Sequence, residues 1–145
     1  MILKNILIIS SLCVSVSLRS AIHETVHESE AHVFDLANEI VQALNNGDAK
    51  VISKYFNSSV ELIFSENRGV YAKAQAEQIL KNFFSNNSPA NAPASGKFHY
   101  KHLHTMPKDN AQYNIGELRT GKGLFRVCIY MKDQRIYEMR IENND

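Results

Sequence analysis

Residues 112–141, QYNIGELRTGKGLFRVCIYMKDQRIYEMRI, alternate between β-rich segments and short polar turns. Together with the segment before them, they predict four consecutive strands, over 98–105, 112–119, 124–131 and 136–141. The turns between these strands contain Pro107, Gly121, Gly123 and Asp133, which are residue types that favour reversal of the chain. Because each connection is short, we expect the four strands to form an antiparallel meander.

Upstream of the meander, apolar residues recur at the three- and four-residue spacing of amphipathic helices. Helices are predicted over 33–44, over a short segment that Asp48 caps, and over 73–84. We expect 57–59 to end the second helix, and a β-hairpin with its turn at 66–69 to precede the third. Helices followed by a sheet predict an α+β domain in which the N-terminal helices pack on one face of a curved antiparallel sheet.

The amino terminus has the pattern of an export signal. Lys4 precedes an apolar run over 6–16, and small residues follow it. The run is shorter than the roughly 20 apolar residues that a membrane-spanning helix needs. Leu12 stands before Cys13 where a lipoprotein signal has a small residue, so a lipid anchor is not predicted. We therefore expect a signal peptide at 1–21 and a periplasmic or extracellular protein that is not an integral membrane protein.

The rest of the chain is expected to be a polar tail over 22–30 and a single domain over 31–145, because 145 residues allow one core of ordinary size. Loss of Lys4 and Arg19 with the signal changes the formal charge from +1 to −1. Without a basic cluster, nucleic acid and anionic membrane surfaces are not expected partners. Cys128 is then the single cysteine, which excludes an internal disulfide and favours a small buried apolar side chain.

The polar tail contains HETVH at 23–27, which matches the H-E-x-x-H signature of zinc proteases. Such a site requires a buried helix, a third protein ligand and an apolar scaffold. The residues that follow are Glu28, Ser29 and Glu30, which provide none of these. We therefore reject the protease interpretation and predict a solvated segment, with no metal and no cofactor. Cleavage after Ser20 would leave one alternative, because a histidine third from a free amine chelates copper or nickel.

The order helix, helix, hairpin, helix and four-strand meander resembles the nuclear transport factor 2-like superfamily, also called cystatin-like. Four runs carry a more specific similarity: IVQALNNGDAKVISKYFNSSVELIF at 40–64, GVYAKAQAEQILKNFFSNN at 69–87, YKHLH at 100–104 and AQYNIGEL at 111–118. They resemble a family of secreted bacterial proteins classed as a domain of unknown function within that superfamily. The similarity extends over about 33–142 and implies a sheet curled around a helix, with a conical pocket.

Members of this superfamily use the pocket for isomerisation, dehydration, small-ligand binding or dimerisation, so the resemblance does not determine a function. The uncharacterised family provides no catalytic residues to transfer. Asp109 and Asp133 lie in predicted turns, so no aspartate lies where a ketosteroid isomerase would need one. We expect a non-catalytic module that binds a small apolar ligand or forms a homodimer through the pocket or a sheet face. The alternative is a small lyase or isomerase that uses a Glu, His and Tyr set in the cavity.

The candidate ligand-binding residues come mainly from FHYKHLH, residues 98–104. Strand alternation predicts one shared face for Phe98, Tyr100, His102 and His104. On the next two strands, the odd-numbered residues are expected to face the core. The predicted ligand-binding set is Tyr55, Tyr100, His102, His104 and Tyr113. The two histidines could instead be exposed or share a metal, and the sequence does not fix the register.

Glu117, His102 and His104 are the weak catalytic candidates. On the apolar face of its strand, Glu117 could be a buried carboxyl group with a raised pKa, which is the usual property of a general base. It could equally lie at the rim and form an ion pair. The arginines available for that ion pair are Arg119, Arg126 and Arg140.

Overall fold

The computed structural model describes residues 35–65, 67–89 and 98–144. Helix α1 covers 35–46 of this part of the chain and is followed by α2 (Ala49–Lys54). The remaining elements are β1 (Phe56–Phe64), β2 (Asn67–Ala72), α3 (Lys73–Asn86), β3 (His99–Met106), a 3-10 turn (Pro107–Asp109), β4 (Ala111–Thr120), β5 (Gly123–Lys132) and β6 (Arg135–Asn143). None of the helices in the described ranges has the length and apolar character needed to cross a membrane. The predicted signal peptide and the polar tail with HETVH lie outside the described residues.

Two local signals set the boundary between α1 and α2. Gly47 follows α1 with a φ of 67°, and the N–H of Asp48 donates back to a carbonyl of α1 at 2.8 Å. Glycine adopts this left-handed conformation without a steric penalty from a Cβ atom. The Asp48 carboxylate then accepts a hydrogen bond from the N–H of Val51 at 3.0 Å, so the predicted N-cap of α2 is confirmed.

Two sequences that resemble turns are instead incorporated into strands. Residues 57–59, which were expected to end α2, lie in β1 between the buried residues Phe56 and Val60. The β1–β2 turn contains Ser65, whose φ is 51°, whereas Gly69 from the predicted turn lies within β2. Both predictions were wrong. In β1, burial of Phe56 and Val60 outweighs the turn preference of 57–59. No residue of β2 is buried, and Gly69 lies in this strand because it pairs with Leu62 of β1.

The six strands form one sheet in the order β2-β1-β6-β5-β4-β3. The predicted meander from β3 to β6 is confirmed, since each consecutive pair is antiparallel. β1 is antiparallel to β2 but parallel to β6, with Leu62 opposite Met139. The sheet is therefore mixed, and the prediction of a fully antiparallel sheet was wrong. The parallel pair joins segments far apart in the sequence, and no turn signal connects them.

The helices cover one face of the sheet, which we call the inner face. Its central apolar side chains are at most 1% exposed and comprise Val60, Leu62, Leu118, Val127, Ile129, Met139 and Ile141. The helices contribute Ile40, Leu44, Ile52 and Leu80 to the same core. Complete burial of one such side chain contributes about 1.5–3 kcal/mol, so these contacts hold the helices on the sheet. The predicted α+β fold, with helices packed on a curved sheet, is confirmed.

Candidate functional site on the outer face of the sheet

The face of the sheet opposite the helices, which we call the outer face, contains most of the predicted site residues. The buried alternating set of β4 is Asn114, Gly116, Leu118 and Thr120. The outer set is therefore Tyr113, Ile115 and Glu117. On β5 the prediction that odd-numbered residues face the core is confirmed, but on β4 it was wrong. The inner positions of β4 include an asparagine and a glycine, which give no apolar signal.

A β-bulge interrupts the alternation of β3. Tyr100 lies opposite Gly116, and His102 lies opposite Ile115, the next residue of β4. Lys101 is therefore an extra residue in β3 that no residue of β4 matches. As a result, Lys101 and His102 are adjacent in sequence and both lie on the outer face. A bulge of this kind changes the face of every later side chain in the strand.

The bulge separates the four residues that were predicted to share one face. Phe98 is 3% exposed, and its ring meets the ring of Tyr100 edge to face at 5.1 Å on the inner side. His102 and His104 lie on the outer side, where His104 is directly opposite Tyr113. The predicted shared face was therefore wrong. His102, His104 and Tyr113 share the outer face of neighbouring strands, whereas Tyr100 does not.

The two remaining predicted tyrosines occupy different surroundings. Tyr55 caps the end of α2, and its hydroxyl donates a hydrogen bond to the Glu39 carboxylate of α1. Burial, together with the Glu39 carboxylate, raises the pKa of Tyr55 to about 12. The Tyr100 hydroxyl is buried and has no hydrogen-bond partner among the described residues, and burial raises the pKa of Tyr100 to about 12. The five predicted ligand-binding residues therefore do not form one site.

Glu117 lies at the outer face and is ion-paired. Its carboxylate is 2.9 Å from the Lys101 ammonium, and Asn144 donates a hydrogen bond to it at 3.4 Å. The Lys101 hydrogen bond is the main cause that lowers the pKa of Glu117, while partial desolvation opposes it. The raised pKa that a buried general base requires is therefore not found. The alternative prediction, that Glu117 lies at the rim in an ion pair, fits this position. The ion-pair partner of Glu117 is a lysine of β3 and not one of the three arginines considered.

Tyrosine side chains cluster near the end of the outer face where β4 begins. Tyr113 lies directly opposite Tyr130 on β5, and the ring of Tyr130 lies 6.4 Å from that of Tyr137. Tyr137 is the extra residue of a second bulge, on β6, and is 36% exposed. We call Tyr113, Tyr130 and Tyr137 the tyrosine cluster. Burial, followed by the neighbouring Cys128 thiol and Glu138 carboxylate, raises the pKa of Tyr113.

The middle of the outer face carries an ionic row along β6. The Arg140 guanidinium lies 3.7 Å from Glu138 and 3.5 Å from Glu142, so positive and negative charges alternate along the strand. Cys128 lies opposite Arg140 on β5 and is 5% exposed. The prediction that this cysteine is buried is confirmed, and its thiol is free. On β1, Glu61 forms a further ion pair with Arg68 of β2.

A shallow depression of about 200 Å³ lies at the opposite end of the outer face from the tyrosine cluster. Its main lining residues are Lys101, His102, Ile115, Glu117, Arg126 and Asn144. It therefore contains two of the three weak catalytic candidates, Glu117 and His102, beside two cationic groups, Lys101 and Arg126. No group of three or more His, Cys, Asp or Glu side chains suited to a metal occurs in residues 35–65, 67–89 and 98–144.

Several residues of this face were not among the predicted site residues. Tyr130 belongs to the outward-facing set of β5, and Tyr137 and Lys101 reach the outer face only because of the bulges. Arg126 was considered only as a partner for Glu117. The one available signal is the regular alternation of β5, which assigns Arg126, Cys128 and Tyr130 to the face opposite the core.

The sequence model of the family described as "Domain of unknown function (DUF4783)" matches residues 37–142. The chain belongs to the DUF4783 family. A DUF4783 protein from Bacteroides uniformis ATCC 8492 is 27% identical, covers 74% of this chain and 96% of its own, and superposes with a TM-score of 0.65. A DUF4783 protein from Bacteroides ovatus ATCC 8483 is 25% identical, with 74% and 94% coverage and a TM-score of 0.64.

A more distant similarity concerns only the fold of this DUF4783 chain. An NTF-2 like protein of unknown function from Burkholderia xenovorans LB400 is 10% identical, covers 80% of this chain and 85% of its own, and has a TM-score of 0.57. At this identity the match shows the fold alone. No protein with a curated description matches the chain in sequence. The predicted family and the nuclear transport factor 2-like fold are confirmed.

Proposed function

We propose that this chain is an exported, non-catalytic module that forms a homodimer through the outer face of its sheet. The observation that carries the proposal is the tyrosine cluster, three tyrosines grouped on a sheet face that no described helix covers. Tyrosine is enriched at protein interfaces because it combines a large apolar ring with a hydroxyl that can remain hydrated. Other tyrosines of the described chain, such as Tyr55 and Tyr100, are already used in local contacts.

The charges of the outer face favour a second copy as the partner. Glu61 pairs with Arg68, Lys101 pairs with Glu117, and Arg140 lies between Glu138 and Glu142. Because these groups are paired within one protomer, a partner does not need to supply a net opposite charge. A two-fold axis that passes between Glu138 and Arg140 would place each of these residues opposite the copy of the other, so the row can be self-complementary, as an isologous interface requires.

The size of the outer face limits how strong such a dimer can be. Six strands about 4.8 Å apart and about 30 Å long give a face of roughly 700 Å². A standard protein–protein interface buries roughly 800 Å² on each partner. A dimer centred on the tyrosine cluster leaves the opposite end of the outer face open, so it buries less than this area and is expected to be weak.

The geometry supports a non-catalytic role over the cavity-enzyme alternative. That alternative requires a carboxyl group, a histidine and a tyrosine to converge in an enclosed cavity. Here Tyr100 faces the inside of the sheet, and Tyr113 does not line the shallow depression that holds Glu117 and His102 on the outside. Lys101 also lowers the pKa of Glu117, which makes the carboxylate a weaker base than the alternative needs.

The homodimer is tested by sedimentation velocity on the exported protein and on a double variant, Tyr130→Glu with Tyr137→Glu. The unaltered protein is expected to sediment as a dimer at protein concentrations in the high micromolar range. The double variant is expected to be monomeric, because four buried carboxylates per dimer cannot be desolvated without partners. The matched control is Leu103→Glu, which also introduces a carboxylate. Leu103 is 63% exposed and lies on the inner side of β3, away from the proposed interface. A monomeric parent protein, or equal dissociation by the control, would refute the outer-face dimer.

Export is part of the proposal and has its own test. Residues 1–21 have the charge and apolar pattern of a cleavable signal, followed by small residues. We expect the intact mass of protein recovered from the periplasm or medium to correspond to a chain that begins close to residue 18 or close to residue 22. Recovery of the protein only inside the cell with Met1 or Ile2 retained at its amino terminus would contradict the prediction.

A further inference from the structure

We propose that the depression lined by Lys101, His102, Ile115, Glu117, Arg126 and Asn144 is a binding site for a small monocarboxylate. The inference concerns the opposite end of the outer face from the tyrosine cluster and does not depend on the dimer. It rests on one cation that is left without an ionic partner, on an apolar wall beside that cation, and on the small volume of the site.

Arg126 is the cation available to a ligand. In register it lies between two glutamates, Glu117 on β4 and Glu142 on β6. Glu117 is held by Lys101 at 2.9 Å, and Glu142 is held by Arg140 at 3.5 Å. Arg126 forms no ion pair of its own within the described part of the chain, although it lines the depression. Its planar guanidinium can donate two parallel hydrogen bonds to a carboxylate.

The β3 bulge assembles the rest of the polar wall. Because Lys101 is the extra residue, Lys101 and His102 both reach the outer face at the rim of the depression. Lys101 neutralises Glu117, so Glu117 repels an incoming anion less than a free carboxylate would. Bulges are frequent beside binding sites because they redirect a side chain in this way.

The charge balance around the depression favours an anion. The charged residues that line it in the described part of the chain are Lys101 on β3, Arg126 on β5 and Glu117 on β4. The net charge of these three groups is +1. An anion that enters a surface site of this sign is attracted, and added salt weakens the attraction.

The remaining features select a short aliphatic carboxylate. Ile115 provides an apolar surface beside the guanidinium, and the Asn144 amide lies at the other edge of the depression. Sites for drug-sized ligands occupy about 300–1,000 Å³, so the 200 Å³ depression suits a single carboxylate with a short apolar body. A multiply charged phosphate would gain no contact from Ile115.

The binding site is tested by titrating ¹⁵N-labelled exported protein with butyrate and recording amide chemical shifts. Saturable shifts are expected at residues 115–117 and 126, and none are expected with butyramide, which has the same aliphatic body without the charge. Arg126→Gln is expected to weaken butyrate binding by about tenfold, because one charge-assisted bidentate contact is lost. Lys132→Gln, at the exposed far end of the same strand, removes the same charge and is expected to change the affinity by less than about twofold.

Two further measurements decide the ligand class. Arg126→Lys retains the charge but loses the planar pair of donors, so it is expected to bind butyrate with intermediate affinity. Inorganic phosphate is expected to bind more weakly than butyrate. Equal shifts with butyramide, a non-saturating response, or unchanged affinity in Arg126→Gln would overturn the site, and tighter phosphate binding would overturn its assignment to carboxylates. Repeating the titration in the tyrosine double variant separates this result from the fate of the dimer.

Discussion

Replacement of Gly116 by alanine is expected to lower the free energy of unfolding by about 2 kcal/mol, because overpacking a well-packed site costs on the order of 1–3 kcal/mol. A Cβ atom at this position would overlap the Phe98 ring and lie 2.6 Å from the backbone oxygen of His99. Phe98 cannot easily move, since it is 3% exposed and its N–H donates to the Asn45 side chain at 2.5 Å. Urea denaturation with an unchanged m-value is the appropriate measurement.

Gly69→Ala is the matched control for this prediction. It is also a strand glycine, and an added Cβ would lie 2.6 Å from an atom of the Tyr71 ring. That ring is the far end of a half-exposed side chain, so it can rotate away, and the expected loss is below about 0.5 kcal/mol. Equal losses in the two variants would mean that Phe98 does not pack against Gly116, and that the inner-face placement of Phe98 is wrong.

The sequence predicts the existence and order of the elements well because those depend on local periodicity. The apolar spacing that ends at Leu44, the Asp48 cap and the turns at Gly121 and Asp133 all act within a few residues. The parallel pairing of β1 with β6 depends on contacts such as Leu62 with Met139, far apart in the sequence. No local pattern contains that information, so the mixed character of the sheet could not be predicted.

The faces of the strands are harder to predict than the strands, because a single extra residue reverses them. On β3 the extra Lys101 sends His102 and His104 outward after Phe98 and Tyr100 have faced inward. A bulge has no reliable sequence signal, and the histidine-rich strand has no apolar alternation that would expose the reversal. The sequence consequently predicted one shared face for four residues that the structure divides between the two faces.

On β4 the types of residue at the inner and outer positions make the core-facing side difficult to predict. The inner positions next to Leu118 are Gly116 and Asn114, whereas the outer positions hold Ile115 and Tyr113. Gly116 is required inside because the Phe98 ring occupies the space of its side chain, and Asn114 lies buried beside the sulfur of Met131. Hydrophobicity alone therefore favours the wrong face, and only the contacts with neighbouring strands determine the correct one.

Leu118→Ala and Ile115→Ala measure which face of β4 is the core. Leu118 is completely buried on the inner face opposite Phe125, so its truncation is expected to cost about 3 kcal/mol, within the roughly 2–5 kcal/mol typical of core positions. Ile115 is half-buried on the outer face, and truncation there is expected to cost about 1 kcal/mol. Both are measured by urea denaturation at one fixed protein concentration, because dissociation of a dimer would add to the apparent stability. If Ile115→Ala cost more than Leu118→Ala, the odd-numbered residues of β4 would face the core. Tyr113 and Glu117 would then lie inside the domain, which would contradict both the dimer and the carboxylate site.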